Sequence, residues 1–526
     1  MRKLLSLVAT LMLSIVATAQ TPTVVGRVTC SGKPVADVVV SDGELVTRTD
    51  ADGRYALAST KPCGYVFISI PSGYEVDADG LIPHHFGYTT KAALDEIDFE
   101  LRRVKNDNFT LFISTDSHLR GDPEELDLPQ FRQWYRDDIR REIERTKGPV
   151  YSLHLGDMTT DVMWHRNRFG LREYLDVMKT YPTPIFHIPG NHDNERFIDF
   201  DIPDPQWDSI AQEPYRRIIG PNYYSFNLGK VHFVMLDNII VRYGRRPNGA
   251  HKTVNNYWLD ERQHRWLERD LATVDSSTPL VVCMHVPVFS YTGIDNEGNG
   301  IINTEVDLHG AALPCNELAA QLLPLIERFE FVHILSGHTH KNANVLVNNR
   351  IFQQTFVSTS AISWKISGPE KRLVSEDGSP GGYGILRVRG KKFDRQFKAN
   401  GYTIEENQFR VYDLNHVPEK FGGKPASNRL LINVYNWDDR WNIEVREGKK
   451  QLPVERTWTR DPLYRLIRHD VLPTRPTAFR AVYNAHMFEV ETSAEDTPIE
   501  VIVTDHAGRR YRQQVVRPKR FDWQIE

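Results

Sequence analysis

The sequence predicts an α/β (α+β) domain between two all-β sandwiches. Between about residues 104 and 400, apolar strand-like runs alternate with amphipathic helical patterns, which is typical of an α/β domain. Residues 20–103 and 401–526 instead contain short β-branched or aromatic runs separated by Gly, Pro and Asp-Gly turns. At 526 residues the chain is long enough for several domains of about 150 residues each.

The composition is that of an ordinary globular protein, with 40% hydrophobic and 25% charged residues. The net charge of −4 provides no positive field that would attract a polyanion. The sequence therefore does not predict nucleic acid as a partner.

The first residues have the pattern of an export signal. Two basic residues precede an apolar run from Leu4 to Val16, and small residues follow at 17–19. We expect a cleavable signal peptide over 1–19 and a periplasmic or secreted protein that begins near Gln20. The run is shorter than the roughly 20 residues that span a bilayer, and no later stretch is apolar enough, so no membrane span is expected. A retained N-terminal anchor is the alternative.

The N-terminal region, 20–103, is predicted to form strands near 24–29, 35–41, 45–49, 55–57 and 65–70. Segments 32–43 and 49–55 resemble the small prealbumin-like or carboxypeptidase-regulatory-like sandwich, which implies a scaffold. The Asp-rich segment 49–55 has two interpretations, a calcium site or simple turn chemistry. Cys30 and Cys63 lie in the same module and could pair.

In the central region, 104–400, we predict strands near 111–116, 150–156, 185–189, 231–237, 280–285 and 331–336. Helices are predicted near 129–146, 168–179, 260–274 and 315–328. In the first helix, apolar residues recur every four positions from Phe131 to Ile143, which indicates one buried stripe. The C-terminal region, 401–526, has strand patterns near 429–434, 441–445, 487–491, 499–504 and 511–516, which fit a second sandwich.

Side chains able to bind a metal stand at or just after the C-terminal ends of five predicted strands, where α/β sheets place their ligand sites. They are Asp116, His118, Asp157, Asn191, His192, His285, His338 and His340. This mixed nitrogen and oxygen set suits Mn, Fe or Zn. Even with His192 set aside, the seven remaining ligands are too many for one ion, so two ions that share a carboxylate are the economical arrangement. Four other histidines within strands are interpreted as core residues: His154, His187, His232 and His333.

The ordered motifs Asp-x-His, Gly-Asp, Gly-Asn-His-Asp, His and Gly-His-x-His resemble the calcineurin-like metallophosphoesterase superfamily. The resemblance implies a four-layer sandwich of two β-sheets with flanking helices. It also implies a division of the ligands between two divalent ions. One ion would take Asp116, His118 and His340, the other would take Asn191, His285 and His338, Asp157 would bridge them, and His192 would stay unliganded as the catalytic residue. Segments 220–226 and 377–383 look like an exported subgroup with extra N- and C-terminal β-sandwich domains.

Two positions depart from relatives in this superfamily. Thr160 stands where purple acid phosphatases carry a tyrosinate ligand, so the coloured ferric chemistry of that branch is not expected. Asp161 lies four residues past Asp157, whereas many relatives place the acid that orients the catalytic histidine three residues past. The sequence therefore does not predict Asp161 as the partner of His192.

The resemblance implies an exported dinuclear-metal phosphoric-ester hydrolase in which a metal-bridging hydroxide attacks phosphorus and His192 protonates the leaving oxygen. Phosphomonoesters and phosphodiesters both remain open as substrates. The alternative is a non-catalytic protein that binds a surface polymer and keeps a vestigial phosphoesterase core. The intact ligand set favours the enzyme.

Substrate contacts are predicted from residue chemistry alone. Arginine forks suit phosphate oxygens and aromatic faces suit sugar or base rings, which selects Arg245, Arg246, Trp364 and Tyr383. A solvated basic loop is the alternative for the two arginines. The flanking sandwiches are expected to shape or cover the site, or to dock the enzyme to a glycan or another protein.

Overall fold

The computed structural model describes residues 21–124, 126–245, 248–249, 251–308, 311–364, 373–470 and 479–522. The expected signal peptide at 1–19 and the predicted substrate contact Arg246 lie outside these residues. Within them, no helix is long and apolar enough to cross a membrane.

The N-terminal region consists of two β-sheets, which confirms the predicted all-β class. In the larger sheet, Val24–Cys30 is surrounded by five short strands: Lys33–Pro34, Arg54–Leu57, Tyr74–Glu75, Asp95–Glu96 and Phe99–Arg103. The smaller sheet has the order Phe86–Tyr88, Tyr65–Ser69, Val39–Ser41, Val46–Arg48. Val28 of the larger sheet and Phe67 of the smaller one belong to one buried core. A short ribbon pairs Ala78–Asp79 with Ile82–Pro83.

Cys30 and Cys63 are separate free thiols, so the disulfide that the sequence allowed is not formed. Only Cys30 lies in a strand. Cys30 is paired with Lys33 and Leu101 in the larger sheet. Cys63 precedes the smaller sheet, and its sulfur lies 3.3 Å from the hydroxyl of Tyr223 in the central domain.

The Asp-rich segment 49–55 is a self-contained turn. The carboxylate of Asp50 accepts hydrogen bonds from the backbone N–H groups of Asp52 and Arg54 at 2.9 and 2.8 Å. The backbone N–H of Gly53 donates to the carbonyl of Asp50 at 2.9 Å. These contacts fit the turn-chemistry interpretation, because the carboxylate is used to close the turn.

The central domain contains two mixed sheets, and the predicted fold class is confirmed. One sheet has five strands in the order Ile185–His187, Val150–His154, Asn108–Ser114, Gly382–Arg389, Lys392–Ala399. The other has six strands in the order Tyr224–Leu228, Val231–Leu236, Leu280–Met284, Val332–Ser336, Ile351–Thr355, Ala343–Val347. All six predicted strands are present. Phe109 of the first sheet and Phe233 of the second meet with ring centroids 6.4 Å apart, inside a shared core.

Helices cover the outer faces of both sheets. They are Asp127–Gln130, the wider turns of Phe131–Arg136, Asp137–Arg145, Asp161–Asn167, Leu171–Met178, Trp207–Ala211, Glu213–Ile218, Glu261–Leu271 and Asn316–Ile326. The predicted stripe is buried, with Phe131 and Ile139 fully enclosed against the first sheet. Trp266 and Leu318 pack against the second sheet. The predicted helix at 168–179 begins later, at Leu171.

Three β-hairpins of the central domain were not predicted from the sequence. The hairpins pair Ile240–Arg245 with His251–Asn256, Ser290–Ile294 with Gly300–Asn303, and Glu305–Leu308 with Ala311–Pro314. Their strands were missed because Gly, Asn and charged residues interrupt the two-residue alternation that marks a half-buried strand.

The C-terminal domain is the second sandwich that the strand patterns predicted. One sheet has the order Phe409–Asp413, Arg429–Val434, Tyr483–Glu491, Glu455–Arg460, and the other has the order Lys450–Leu452, Asn442–Glu447, Ile499–Thr504, Arg510–Val515. A helix, Pro462–Asp470, lies between two strands of the first sheet in the sequence.

Asp377 joins the C-terminal domain to the central domain. Its carboxylate accepts a hydrogen bond from the backbone N–H of Asn342 at 2.9 Å and lies 3.3 Å from the imidazole of His486. Its backbone carbonyl accepts a hydrogen bond from the side chain of Asn433 at 2.7 Å. The segment 377–383, noted in the sequence, therefore begins at a polar junction between the two domains.

Tyr383, predicted as a substrate contact, is instead a core residue. It lies in the strand Gly382–Arg389 with 1% of its surface exposed. Its hydroxyl donates a hydrogen bond to Asp138 Oδ2 at 3.0 Å, and this carboxylate oxygen also accepts a hydrogen bond from the Lys398 ammonium group at 2.6 Å. The prediction failed because no local pattern around Tyr383 indicates that its strand is buried on both faces.

We expect Lys398→Met to lower the free energy of unfolding by about 3 kcal/mol, because it leaves the buried Asp138 carboxylate with only the half-exposed Arg141 guanidinium, 3.3 Å away, as its cation. Tyr383→Phe is the matched control, since it removes only one hydrogen bond and should cost about 1 kcal/mol. Urea denaturation measures both. Equal stability of Lys398→Met and the parent protein would contradict this account of the core.

Candidate metal centre

The candidate ligands come from the C-terminal ends of strands in both sheets. Asp116 and His118 follow Asn108–Ser114, Asp157 follows Val150–His154, Asn191 and His192 follow Ile185–His187, His285 follows Leu280–Met284, and His338 and His340 follow Val332–Ser336. Because the two sheets bring these ends to one place, residues more than two hundred positions apart become neighbours.

Five of these residues have left-handed backbone conformations, which non-glycine residues rarely adopt. Their φ angles are 53° for Asp116, 46° for His118, 55° for Asp157, 68° for His338 and 56° for His340. Backbone strain of this kind costs about 1–3 kcal/mol per residue and concentrates at functional sites. The surrounding sheets must therefore hold the turns in place.

Hydrogen bonds between the turns fix these conformations. The backbone N–H of Asp116 donates to the carbonyl of Gly156, and that of His118 donates to the carbonyl of Asp157, both at 2.9 Å. The backbone N–H of His338 donates to the Asp116 carboxylate at 2.9 Å. Gly190 is required for packing, since a Cβ atom there would overlap the carboxylate of Asp157.

The first cluster consists of Asp116, His118 and His340. The Nε2 atoms of the two histidines are 2.8 Å apart. The Asp116 Oδ1 atom lies 3.3 Å from His340 Nε2 and 3.6 Å from His118 Nε2. Burial lowers the pKa of His118 to about 4, which favours the neutral imidazole that binds metals.

The second cluster consists of Asp157, His285 and His338. His285 Nε2 lies 3.3 Å from Asp157 Oδ2 and 3.2 Å from His338 Nδ1. The other ring nitrogen of His285 donates to the carbonyl of Leu155 at 2.7 Å, which fixes the ring and directs Nε2 into the cluster. Asp157 Oδ2 is also 3.6 Å from His118 Nε2, so this carboxylate lies between the two clusters.

These donors fit a pair of divalent cations. In each cluster the potential ligand atoms lie within 4.8 Å of one another. The side-chain oxygen of Asn191 is buried without a hydrogen-bond partner among the described residues. Burial would lower the pKa of His285, but the carboxylates of Asp157 and Asp116 outweigh it and raise that pKa to about 9. The centre thus favours added positive charge, which metal cations supply.

His192 lies beside the clusters and is held by a carboxylate. Its Nδ1 atom is 2.6 Å from Asp161 Oδ1, and the other Asp161 oxygen is 3.3 Å from the guanidinium of Arg196. Asp161 is therefore the partner of His192, contrary to the expectation from its spacing after Asp157. Burial would lower the pKa of His192, but Asp157 and Asp161 outweigh it and raise that pKa to about 9.

Asp193 was not singled out in the sequence, yet it stabilises the loop that carries Asn191 and His192. Its buried carboxylate accepts hydrogen bonds from the backbone N–H groups of Gly190 at 2.9 Å and of Met158 and Thr159 at 3.2 Å. Burial and the nearby charge of Asp157 raise the pKa of Asp193 to about 7. Its place directly after Gly-Asn-His was the only signal available.

The clusters open into a cavity of about 240 Å³. The predicted residue Trp364 lines it, and its indole N–H donates to the carbonyl of Ser117 at 2.7 Å. Sequence reasoning missed the other lining residues, which come from distant turns: Arg120, Asp127, Thr160, Tyr257, Leu308, Ser360, Ile362, Ser363 and Phe479. Among them, Tyr257 lies with its ring 5.3 Å from that of His338.

Arg245 is not among the residues that line this cavity. It ends the hairpin strand Ile240–Arg245, and its guanidinium lies 5.9 Å from the centre of the Tyr243 ring. The structure gives Arg245 a contact within its own hairpin, and its role in substrate binding stays a prediction.

Three models of one protein family match consecutive parts of the chain. The model for the N terminal of calcineurin-like phosphoesterase matches residues 22–104, calcineurin-like phosphoesterase itself matches 109–342, and the C-terminal model matches 367–511. The chain belongs to the calcineurin-like phosphoesterase family. The central match, 109–342, contains all seven candidate ligands and His192.

Individual relatives of this phosphoesterase match smaller parts of it. Purple acid phosphatase 23 of Arabidopsis thaliana is 29% identical over 189 residues, which cover 34% of this chain and 32% of the relative. The chain thus spans about a third of that protein. A purple acid phosphatase from yellow lupin (Lupinus luteus) shares 13% identity with a TM-score of 0.35 over 58% of this chain and 53% of its own. A dimetal phosphatase from Danio rerio shares 14% identity with a TM-score of 0.32 over 56% of this chain and 97% of its own.

Proposed function

We propose that this protein is an exported, dinuclear-metal phosphoric-ester hydrolase. The proposal rests on two buried donor clusters that are connected by Asp157. Both clusters open into the cavity that also contains His192. Membership of the calcineurin-like phosphoesterase family supports the same reaction. One Mn, Fe or Zn ion would be held by Asp116, His118 and His340. The other ion would be held by Asn191, His285 and His338, and Asp157 would contact both ions.

Two bound divalent ions would lower the pKa of a bound water molecule and offset the negative charge of the phosphoryl oxygens. The residues of the chain would hold the substrate in position and provide a proton for the leaving group. Because Asp161 occupies Nδ1 of His192, the free Nε2 atom is the one that can donate a proton to the departing ester oxygen. Arg196 holds Asp161 from its other side and so helps to orient the imidazole.

Thr160 lines the cavity in place of the tyrosine that purple acid phosphatases use as a ligand. We infer that the metal-loaded protein lacks the tyrosinate–ferric absorption of that branch. A visible absorption band in the iron-loaded protein would contradict this inference.

The expected signal peptide supports export, and mass spectrometry of the mature protein should find a chain that begins near Gln20. A mature chain that retains residues 1–19 would contradict export by cleavage.

The flanking sandwiches would shape the cavity or dock the enzyme to a glycan or another protein, and Phe479 of the C-terminal region already lines the cavity wall.

The proposal predicts about two metal ions per chain and turnover of an aryl phosphate ester that is lost on chelation and restored by Mn or Zn. Elemental analysis and a panel of mono- and diesters measure both quantities. A protein that binds no metal and hydrolyses no member of the panel would support the alternative, a polymer-binding protein with a vestigial core.

His192→Ala should reduce hydrolysis of alkyl phosphate esters by about 100-fold or more but that of activated aryl esters far less, because a poor leaving group needs the proton. The matched control is His84→Ala, which replaces an exposed histidine of the N-terminal region. Steady-state kinetics on both ester types provide the comparison. Equal losses on the two substrates would contradict the role of His192 as a general acid.

A further inference from the structure

A second cavity of about 260 Å³ lies between the central and C-terminal domains. Successive residues of the turn 338–341 line the metal cavity and the second cavity in alternation. His338 and His340 line the metal cavity, whereas Thr339 and Lys341 line the second one. The two cavities are therefore separate neighbours with a thin wall between them.

Irregular strands border the second cavity on both sides. The register of the C-terminal pair shifts between Thr457 and Thr459, so that the partner-strand residues 483–486 all line the cavity. The register of the central hairpin shifts at 291–293, and residues 290–292 line the cavity together. A regular strand would direct alternate side chains to opposite faces, but bulges re-aim side chains and are common next to binding sites.

Aromatic faces dominate the C-terminal wall of the cavity. The ring planes of Trp458 and Tyr483 are nearly parallel, 11° apart, with centroids separated by 6.1 Å, and the Arg460 guanidinium lies over the Tyr483 ring, 4.3 Å from its centroid. Tyr483 is 46% exposed although it is a large aromatic residue. Trp437 lies on the same wall, and Tyr291 lies on the opposite, central-domain wall. Partly exposed aromatic rings of this kind offer apolar surface to an amphipathic ligand.

Two buried polar side chains of the lining have atoms without partners among the described residues. Asn344 is 5% exposed, and its amide nitrogen donates to the carbonyl of Trp437 at 3.0 Å while its oxygen accepts no hydrogen bond. Arg456 has a 7% exposed side chain, and its Nη2 atom has no acceptor. Unpartnered buried polar atoms are rare and unfavourable, and a ligand that both donates and accepts hydrogen bonds would satisfy them.

The two cations that line the cavity are already paired with carboxylates. Arg456 lies 2.8 Å from the Asp439 carboxylate, and Lys341 lies 2.9 Å from the Asp307 carboxylate. An anionic ligand such as a phosphate would have to compete with these carboxylates. The lining therefore favours a neutral ligand.

We propose that this cavity binds a neutral saccharide, with a sugar ring against the aromatic side chains of Trp458 and Tyr483 and its hydroxyls at Asn344 and Arg456. Sugars combine an apolar C–H face with hydroxyls that donate and accept, which matches aromatic walls with one free acceptor and one free donor. The site goes beyond the proposed hydrolysis, and its occupancy can be measured without any turnover.

Calorimetry on the full mature protein would use neutral cello-, malto-, manno- and galacto-oligosaccharides up to about 10 mM, a range that detects weak binding. We expect at least one series to bind with one site per chain. Trp458→Ala and Tyr483→Ala should each weaken that binding by about tenfold or more, since each removes a stacked ring. Tyr483→Phe keeps the ring and should retain the affinity. Hydrolysis of an aryl phosphate should be unchanged in all three.

The control variant is Tyr88→Ala, which removes a tyrosine of similar exposure (50%) from the N-terminal region. It should bind the oligosaccharide as the parent protein does. If Trp458→Ala does not fold, Tyr483→Ala and Tyr483→Phe alone decide the comparison. The proposal is overturned if no oligosaccharide of the panel binds, if Tyr88→Ala weakens binding as much as Tyr483→Ala, or if a nucleotide competes fully for the site.

Discussion

The convergence of buried, electron-rich atoms around Asp157 is the constraint on which the rest of the structure depends. Two carboxylates and four imidazoles meet with almost no exposure to water, and nitrogen atoms of different histidines lie as close as 2.8 Å. Buried carboxylates without cations are unfavourable, and so are facing lone pairs. The arrangement becomes favourable when cations occupy its centre, and that is why the clusters indicate metal chemistry.

The two packed sheets of the central domain hold these ligand residues in place. Five ligand candidates have left-handed backbones, and such turns persist only when well-packed strands determine both of their ends. Parallel strands supply those ends, and hydrogen bonds between neighbouring turns connect them. Asp193 and Asp161 add a further layer, because one fixes the loop of Asn191 and the other fixes the ring of His192.

Sequence patterns predicted the fold classes, the six main strands of the central domain and the residues that meet at the centre, because each of these depends on local alternation or on motifs at strand ends. They did not predict features that depend on distant packing. Asp161 reaches His192 because a helix begins at Asp161. The four-residue spacing between Asp157 and Asp161 does not indicate where that helix lies. Tyr383 is buried by Asp138 and Lys398, which lie more than a hundred residues apart from each other. The cavity between the central and C-terminal domains arises from bulges that face each other across that interface.

Anomalous diffraction from crystals grown with Mn or Zn tests the central claim most directly. The account predicts two peaks about 3.5–4 Å apart, one beside Asp116, His118 and His340 and the other beside Asn191, His285 and His338, with Asp157 between them. A single peak, or peaks outside this group of residues, would contradict it.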